Sequence, residues 1–196
     1  MNVIEAIKTR RTIGKVKQDP ISKDVIEELL EAARWAPNYH LTEPWKFFVL
    51  TGEGRRPLGR VLGEIAMEKL EDPTSDEGKK MVMKKSEKPF RAPVVIAVAL
   101  TPPEHPKSIW IEEVAAASAA VQNLLLAAHA RGLGAIWRTG KPTYHPKMKE
   151  LFGLKEKDEM LGFIYLGYPD MKPKEGRRTL IEEKTVWMSE DISYLG

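Results

Sequence analysis

The chain has 196 residues, 42% of them hydrophobic and 30% charged, with a formal net charge of +3 and no cysteine. That length suits one domain with its own core, and charges interleaved in sign, as in EEKTVWMSED, do not make the basic face that nucleic acid requires. Without cysteine there can be no disulfide, no thiolate nucleophile and no thiolate-held metal or iron–sulfur cluster, so redox chemistry would have to come from a bound organic cofactor.

The N-terminal MNVIEAIKTRR carries charges and no cleavable apolar h-region, and no apolar run in the sequence approaches a bilayer span, so a cytoplasmic protein is expected. Asn2 is the N-cap of a short first helix with Val3, Ile4, Ala6 and Ile7 as its apolar stripe. After Arg10, Arg11 and Thr12 comes a linker broken by Pro20. Ser22 then caps an amphipathic helix on which Val25, Ile26, Leu29, Leu30 and Ala33 recur at helical spacing. That helix leads into RWAPNYHLTEPWKFFVL, residues 34–50. Here Asn38, Tyr39, His40, Thr42 and Glu43 lie between Pro37 and Pro44, so donors, acceptors and a stacking ring sit on a restricted loop suited to holding a ligand.

Trp45 to Leu50 reads as a strand ended by Gly52 and Gly54. A helix with Leu58, Val61, Leu62 and Ile65 follows, then the very hydrophilic EDPTSDEGKK, with a further helical stretch over 79–88. APVVIAVAL is continuously apolar and β-branched and belongs at the centre of a sheet. TPPEHPKS is a loop. The longest helix runs from about Ile109 to Ala130, apolar all round and small-residue-rich in its middle, so it should be enclosed on both sides. Gly132 stops it before a strand at Ala135–Trp137. Pro146 starts a short helix, LGFIYL at 161–166 is the last clear strand, and the tail from about 179 to 196 reads as extended and docked elsewhere, on a partner chain for instance. Helices interleaved with strands, but also in succession, predict a mixed α/β sheet within a single domain spanning residues 1–196.

Familiar catalytic signatures are missing. Arg131-Gly132-Leu133-Gly134 lies after a helix and before a strand, the reverse of a dinucleotide fingerprint, and Gly52-Glu53-Gly54 lacks a third glycine and carries an acid. His40, His105, His129 and His145 have no metal-ligand spacing, so no metal is expected, and G-x-S-x-G does not occur. What remains is three polar patches at element boundaries: Arg10-Arg11-Thr12, the segment from Asn38 to Glu43, and Trp137-Arg138-Thr139-Gly140. Arginine with an adjacent hydroxyl suits a monophosphate and the polar edge of a heterocycle.

With IKTRRT, RWAPNYHLTEPWKFFVL, FRAPVVIAVAL, GLGAIWRTG and GFIYLGYP in place along nearly the whole chain, the sequence resembles the nitroreductase family of FMN-dependent oxidoreductases, in its short NAD(P)H nitroreductase subgroup. The resemblance implies an α+β fold, with a central mixed β-sheet flanked by helices, in an intertwined homodimer with FMN at the dimer interface. It implies that Arg10, Arg11 and Thr12 contact FMN, phosphate included, that Trp137, Arg138 and Thr139 line it, and that Asn38, Tyr39 and His40 reach it from the other subunit. Arg10 and Arg138 are the candidates for a cation beside the pyrimidine edge of the reduced ring; Lys15 stands one residue from the place of a lysine familiar in larger members. Leu41 and Glu43 replace the Asn and Gln common in the family, and Tyr39 stands where the subgroup has His, which bears on the acceptor pocket. The implied activity is ping-pong hydride transfer through flavin N5, from NADH or NADPH to a nitroaromatic, quinone or similar flat small-molecule acceptor, with no covalent catalytic residue, no nucleic acid and no membrane. Two alternatives stand beside it: a flavin-binding module for sensing or storage, and a specialised enzyme of the same fold such as a reductive dehalogenase or a flavin-fragmenting enzyme.

Overall fold

The computed structural model of the chain describes residues 1–188. Asn2 caps α1 (Val3–Thr9) in a capping box with Glu5, and Ser22 caps α2 (Lys23–Arg34) by accepting from the Val25 amide. Strand β1 (Trp45–Thr51) precedes the helical pair α3 (Arg56–Met67) and α4 (Asp76–Ser86). Strand β2 (Val94–Leu100), the long α5 (Trp110–Ala130), β3 (Gly134–Arg138), α6 (Pro146–Leu151) and β4 (Glu159–Gly167) complete the order.

The four strands lie in the order β1-β2-β4-β3, and every neighbouring pair is antiparallel. The expected mixed sheet is therefore not present among the described residues. The reason is topological. The single-helix crossover through α5 makes β2 and β3 run the same way, but β4 returns between them and separates the parallel pair.

Both faces of the sheet are covered. Val94, Ile96 and Val98 of β2, with Ile164 and Leu166 of β4, pack under α2 and α5, whereas Val95, Ala97 and Ala99, with Phe163 and Tyr165, pack under α3, α6 and the segment carrying Ile13 and Val16. A strand buried on both faces has no polar side to show, which is why β2 reads as an unbroken apolar run and is buried along its whole length.

α5 is the one helix among the described residues long and apolar enough to cross a membrane by length and composition, contrary to the expectation that no segment approached that size. One face of it is enclosed: Ala117, Ala120, Val121, Leu124 and Ala128 have no exposed surface, and the Asn123 amide donates to the Ala32 carbonyl of α2 at 3.2 Å, while Trp110 and Ile111 are exposed, so the expected enclosure on both sides is not met within one chain. α4 begins three residues earlier than its apolar pattern suggests. Ser75 caps it, and the Asp72 carboxylate gathers Thr74 and Ser75 into a turn before it, which holds its own pKa below the usual carboxylate value. On α1 only Ala6 is buried; Val3, Ile4 and Ile7 face outward. The tail makes one turn at Ile181–Lys184 and exposes Leu180, Ile181, Val186 and Trp187; the rest of the segment expected to dock, residues 189–196, lies outside the described residues.

Candidate functional site

The first patch is set beside the start of β3. α1 ends at Arg10, and the chain then runs along the sheet, with the Ile13 amide donating to the Ala135 carbonyl at 3.0 Å. Gly134 and Gly167 leave room for this pass: a side chain at either would collide with Ile13 or Val16. Arg10 and Arg11 meet Arg178 from the tail and His129 from the last turn of α5, whose Nε2 lies 2.8 Å from Thr9 Oγ1. Burial first, and then the Arg178 and Arg11 charges, pull the Arg10 pKa below its ordinary value; burial and the same arginine pair, Arg10 and Arg11, pull His129 down. No carboxylate bridges Arg10, Arg11 or Arg178 among the described residues. Arg11 donates through Nη1 to the Lys8 and Arg10 carbonyls, which fixes its guanidinium beneath Gly176. Thr12 is exposed beside it.

The second patch sits at the other end of β3, roughly 13 Å along the strand at about 3.3 Å per residue. A cavity of about 340 Å³ is lined there by Trp137, Arg138 and Thr139, by Lys88 and Arg91 from the turn before β2, and by Tyr165 of β4. Trp137 is held by a β-bulge. Register slips between Val98 and Ala99, Gly162 admits the indole, and Trp137 Nε1 donates to the Leu161 carbonyl at 3.3 Å. The Arg138 guanidinium lies 5.2 Å from the Tyr165 ring centroid, and its buried Nε has no hydrogen-bond partner. Burial and the neighbouring Lys85, Arg91 and Arg138 lower the Lys88 pKa, while at Tyr165 burial outweighs Arg138 and Arg91 and pushes its hydroxyl up to about 12. An orphaned buried donor among three uncompensated cations is a cradle for the anionic or carbonyl-rich edge of a ligand.

The third patch is the loop after α2. Asn38 ties it internally, donating to the Ala36 carbonyl and accepting from the Glu43 amide at 2.9 Å. His40, Leu41 and Glu43 have φ of 54°, 54° and 42°, a left-handed conformation that costs about 1–2 kcal/mol for each residue with a side chain. The Tyr39 and His40 rings lie 3.9 Å apart between centroids with their planes tilted by 57°, and His40 approaches His105 at 5.0 Å. The loop lies against Glu112, Ala115, Ala116 and Ala119 in the N-terminal half of α5, whereas Arg10 lies at its C-terminal end by His129. From Ala116 to His129 is roughly 20 Å at 1.5 Å per residue, so within one chain Asn38, Tyr39 and His40 do not meet the Arg10 patch.

Sequence reading assigned no site role to Lys88, Arg91, Arg178 or His129. The first two sit in a run of like charge that reads as a solvated face; the others join the site only through the path of the tail and the end of α5.

The Nitroreductase family model matches residues 7–168. The Escherichia coli K12 protein called "Putative NAD(P)H nitroreductase YdjA" is 34% identical over 172 residues, 88% of this chain and 91% of that one. The crystal structure of a nitroreductase-like family protein from Bacillus cereus superposes with a TM-score of 0.81 at 32% identity, covering 97% of each chain. A "putative nitroreductase in complex with FMN" from Desulfovibrio desulfuricans superposes with a TM-score of 0.67 at 28% identity, covering 93% of this chain and 95% of that one. With its α+β fold and its match over most of its length, the chain belongs to the nitroreductase family.

Proposed function

We propose that the chain is an FMN-dependent NAD(P)H oxidoreductase that works as a homodimer. The observation that carries this reading is the pair of cation groups, free of bridging carboxylates among the described residues, at the two ends of one strand, β3, at an edge of the sheet. One suits a phosphate. The other surrounds a cavity suited to the polar edge of a ring. FMN, when bound, supplies hydride chemistry at N5, accepting from NADH or NADPH and giving to a nitroaromatic, quinone or similar flat acceptor in ping-pong order.

The chain's own work is binding and electrostatics. Arg10, Arg11 and Thr12, joined by Arg178, hold the phosphate by charge-assisted hydrogen bonds. Trp137 and Thr139 line the ring, and Arg138 with Lys88 places positive charge at its pyrimidine edge, where the reduced form is negative. Asn38, Tyr39 and His40 of the partner subunit supply the remaining wall. Their separation from Arg10 along α5 supports this, because a two-fold axis across α5 brings the N-terminal half of one copy to the C-terminal end of the other. The outward Val3, Ile4 and Ile7 of α1 and the exposed apolar side chains of the tail suit the same interface, with residues 179–196 of a single domain docking on the partner.

Purified protein should take up FMN, be reduced by NADH or NADPH in a single turnover, and be reoxidised by a quinone. A colourless protein that takes up no added FMN overturns the reading. Uptake with no reduction by either nicotinamide favours the sensing or storage module, and fragmentation of reduced FMN under air favours the specialised enzyme.

A further inference from the structure

Glu113 is the most buried acidic side chain among the described residues, 3% exposed, and no lysine, arginine or histidine bridges it. It stands in the first turn of α5, where the helix N-terminus favours negative charge but no side chain caps the helix. Each carboxylate oxygen accepts one hydroxyl. Thr42 Oγ1 donates to Oε2 at 2.7 Å and Ser108 Oγ donates to Oε1 at 2.7 Å. Thr42 belongs to the loop carrying Asn38, Tyr39 and His40, and Ser108 to the proline-rich loop before α5. The two loops also meet where His40 approaches His105.

This arrangement has a specific job available. The loop holds three residues with side chains in the left-handed region, and its other side-chain hydrogen bonds, through Asn38, are made within the segment itself. Strain of this kind persists only when the surroundings fix it. The Thr42–Glu113 bond is the side-chain hydrogen bond from the loop to α5, beside the backbone bond from the Thr101 amide to the Pro44 carbonyl at the loop's end, and Ser108 orients the carboxylate that receives it. A buried carboxylate without a cationic partner is an expensive way to fasten a loop unless the loop's position matters.

We propose that Glu113 is a positioning residue for the flavin site: through Thr42 it sets the conformation in which Asn38, Tyr39 and His40 are presented to the FMN of the partner subunit. The proposal rests on the flavin reading above. Glu113 touches neither cofactor nor substrate, and its effect passes through the loop alone.

The test is FMN titration of the full-length dimer, well below its melting temperature. Thr42→Val, which keeps the shape of the side chain and removes the hydroxyl, should weaken FMN binding about tenfold, the scale of one hydrogen bond to a charged group. Glu113→Ala should weaken it at least as much, and Thr42→Ser should restore affinity to within about twofold of wild type. Ser75→Ala, which removes the cap of α4 far from the loop, serves as a control for general loss of stability and should leave affinity unchanged. If Thr42→Val and Glu113→Ala bind FMN as wild type does, or if Ser75→Ala weakens binding equally, the carboxylate merely stabilises the fold and the proposal fails. A wild-type chain that takes up no FMN overturns the flavin reading and this proposal with it. Thr42→Val keeps the question answerable should Glu113→Ala not fold.

Discussion

Replacing Arg138 by Met separates two effects of opposite sign. In the flavin-free chain the substitution removes the guanidinium contact with the buried Tyr165 ring, worth about 1–2 kcal/mol. It also removes a buried donor with no partner, whose desolvation costs about 1–3 kcal/mol, and takes a like charge away from Lys88. The flavin-free protein should therefore hold its stability or gain about 1 kcal/mol. Flavin binding should move the other way. Losing one charge-assisted hydrogen bond costs about 1.5–3 kcal/mol, so FMN affinity should fall about 10- to 150-fold. Fluorescence titration of FMN and urea unfolding of the flavin-free protein, measured on the same samples, read the two effects. A variant that loses stability while binding FMN normally would place Arg138 in the structural core and refute its assignment to the ring.

Arg10→Ala should weaken FMN binding by about 1–3 kcal/mol through the phosphate, and equal affinity for riboflavin in variant and wild type would verify that the loss is at the phosphate. Because His129 in the folded chain has its pKa below the usual value of about 6.5, the unfolded chain binds more protons between the two values. Flavin-free stability should rise with pH through that window and level off above it; urea titrations should show the slope in wild type and not in His129→Gln. Gly162→Ala places a Cβ 2.8 Å from the Arg138 carbonyl and against the Trp137 indole, at a φ of 149° that side chains rarely adopt. It should cost about 3 kcal/mol in urea unfolding, and a neutral effect would show that the bulge can shift freely.

Periodicity revealed most of the frame. α2 carries its burial pattern in the spacing of apolar residues, α5 its place against the core in being apolar all round, β2 its burial in an unbroken apolar run, and α1 and α2 carry their starts in Asn2 and Ser22. The direction of the sheet was not legible, because nothing in residues 159–167 says that this strand enters between two earlier ones rather than at an edge. The patches proposed for the site were legible where polar chemistry sits beside a boundary, as in Arg10-Arg11-Thr12 and Trp137-Arg138-Thr139 at the two ends of β3. The proposed site was illegible where its members arrive from afar. Lys88 and Arg91 enter from the turn before β2, Arg178 from the tail, and Glu113 looks like any acid in a first helical turn until the hydroxyls of Thr42 and Ser108 converge on it.

The place of β4 between β2 and β3 also bears on how the chain comes to be folded. Until residues 159–167 have left the ribosome, β2 has a partner on only one side and β3 has none, so two apolar strands present open hydrogen-bonding edges. Closing the sheet between β2 and β3 waits for β4, the last strand among the described residues, a long-range pairing that is slow by nature. A nascent or truncated chain ending before Glu159 is the species most exposed to self-association, and a chaperone acting on this protein would do its work in that interval.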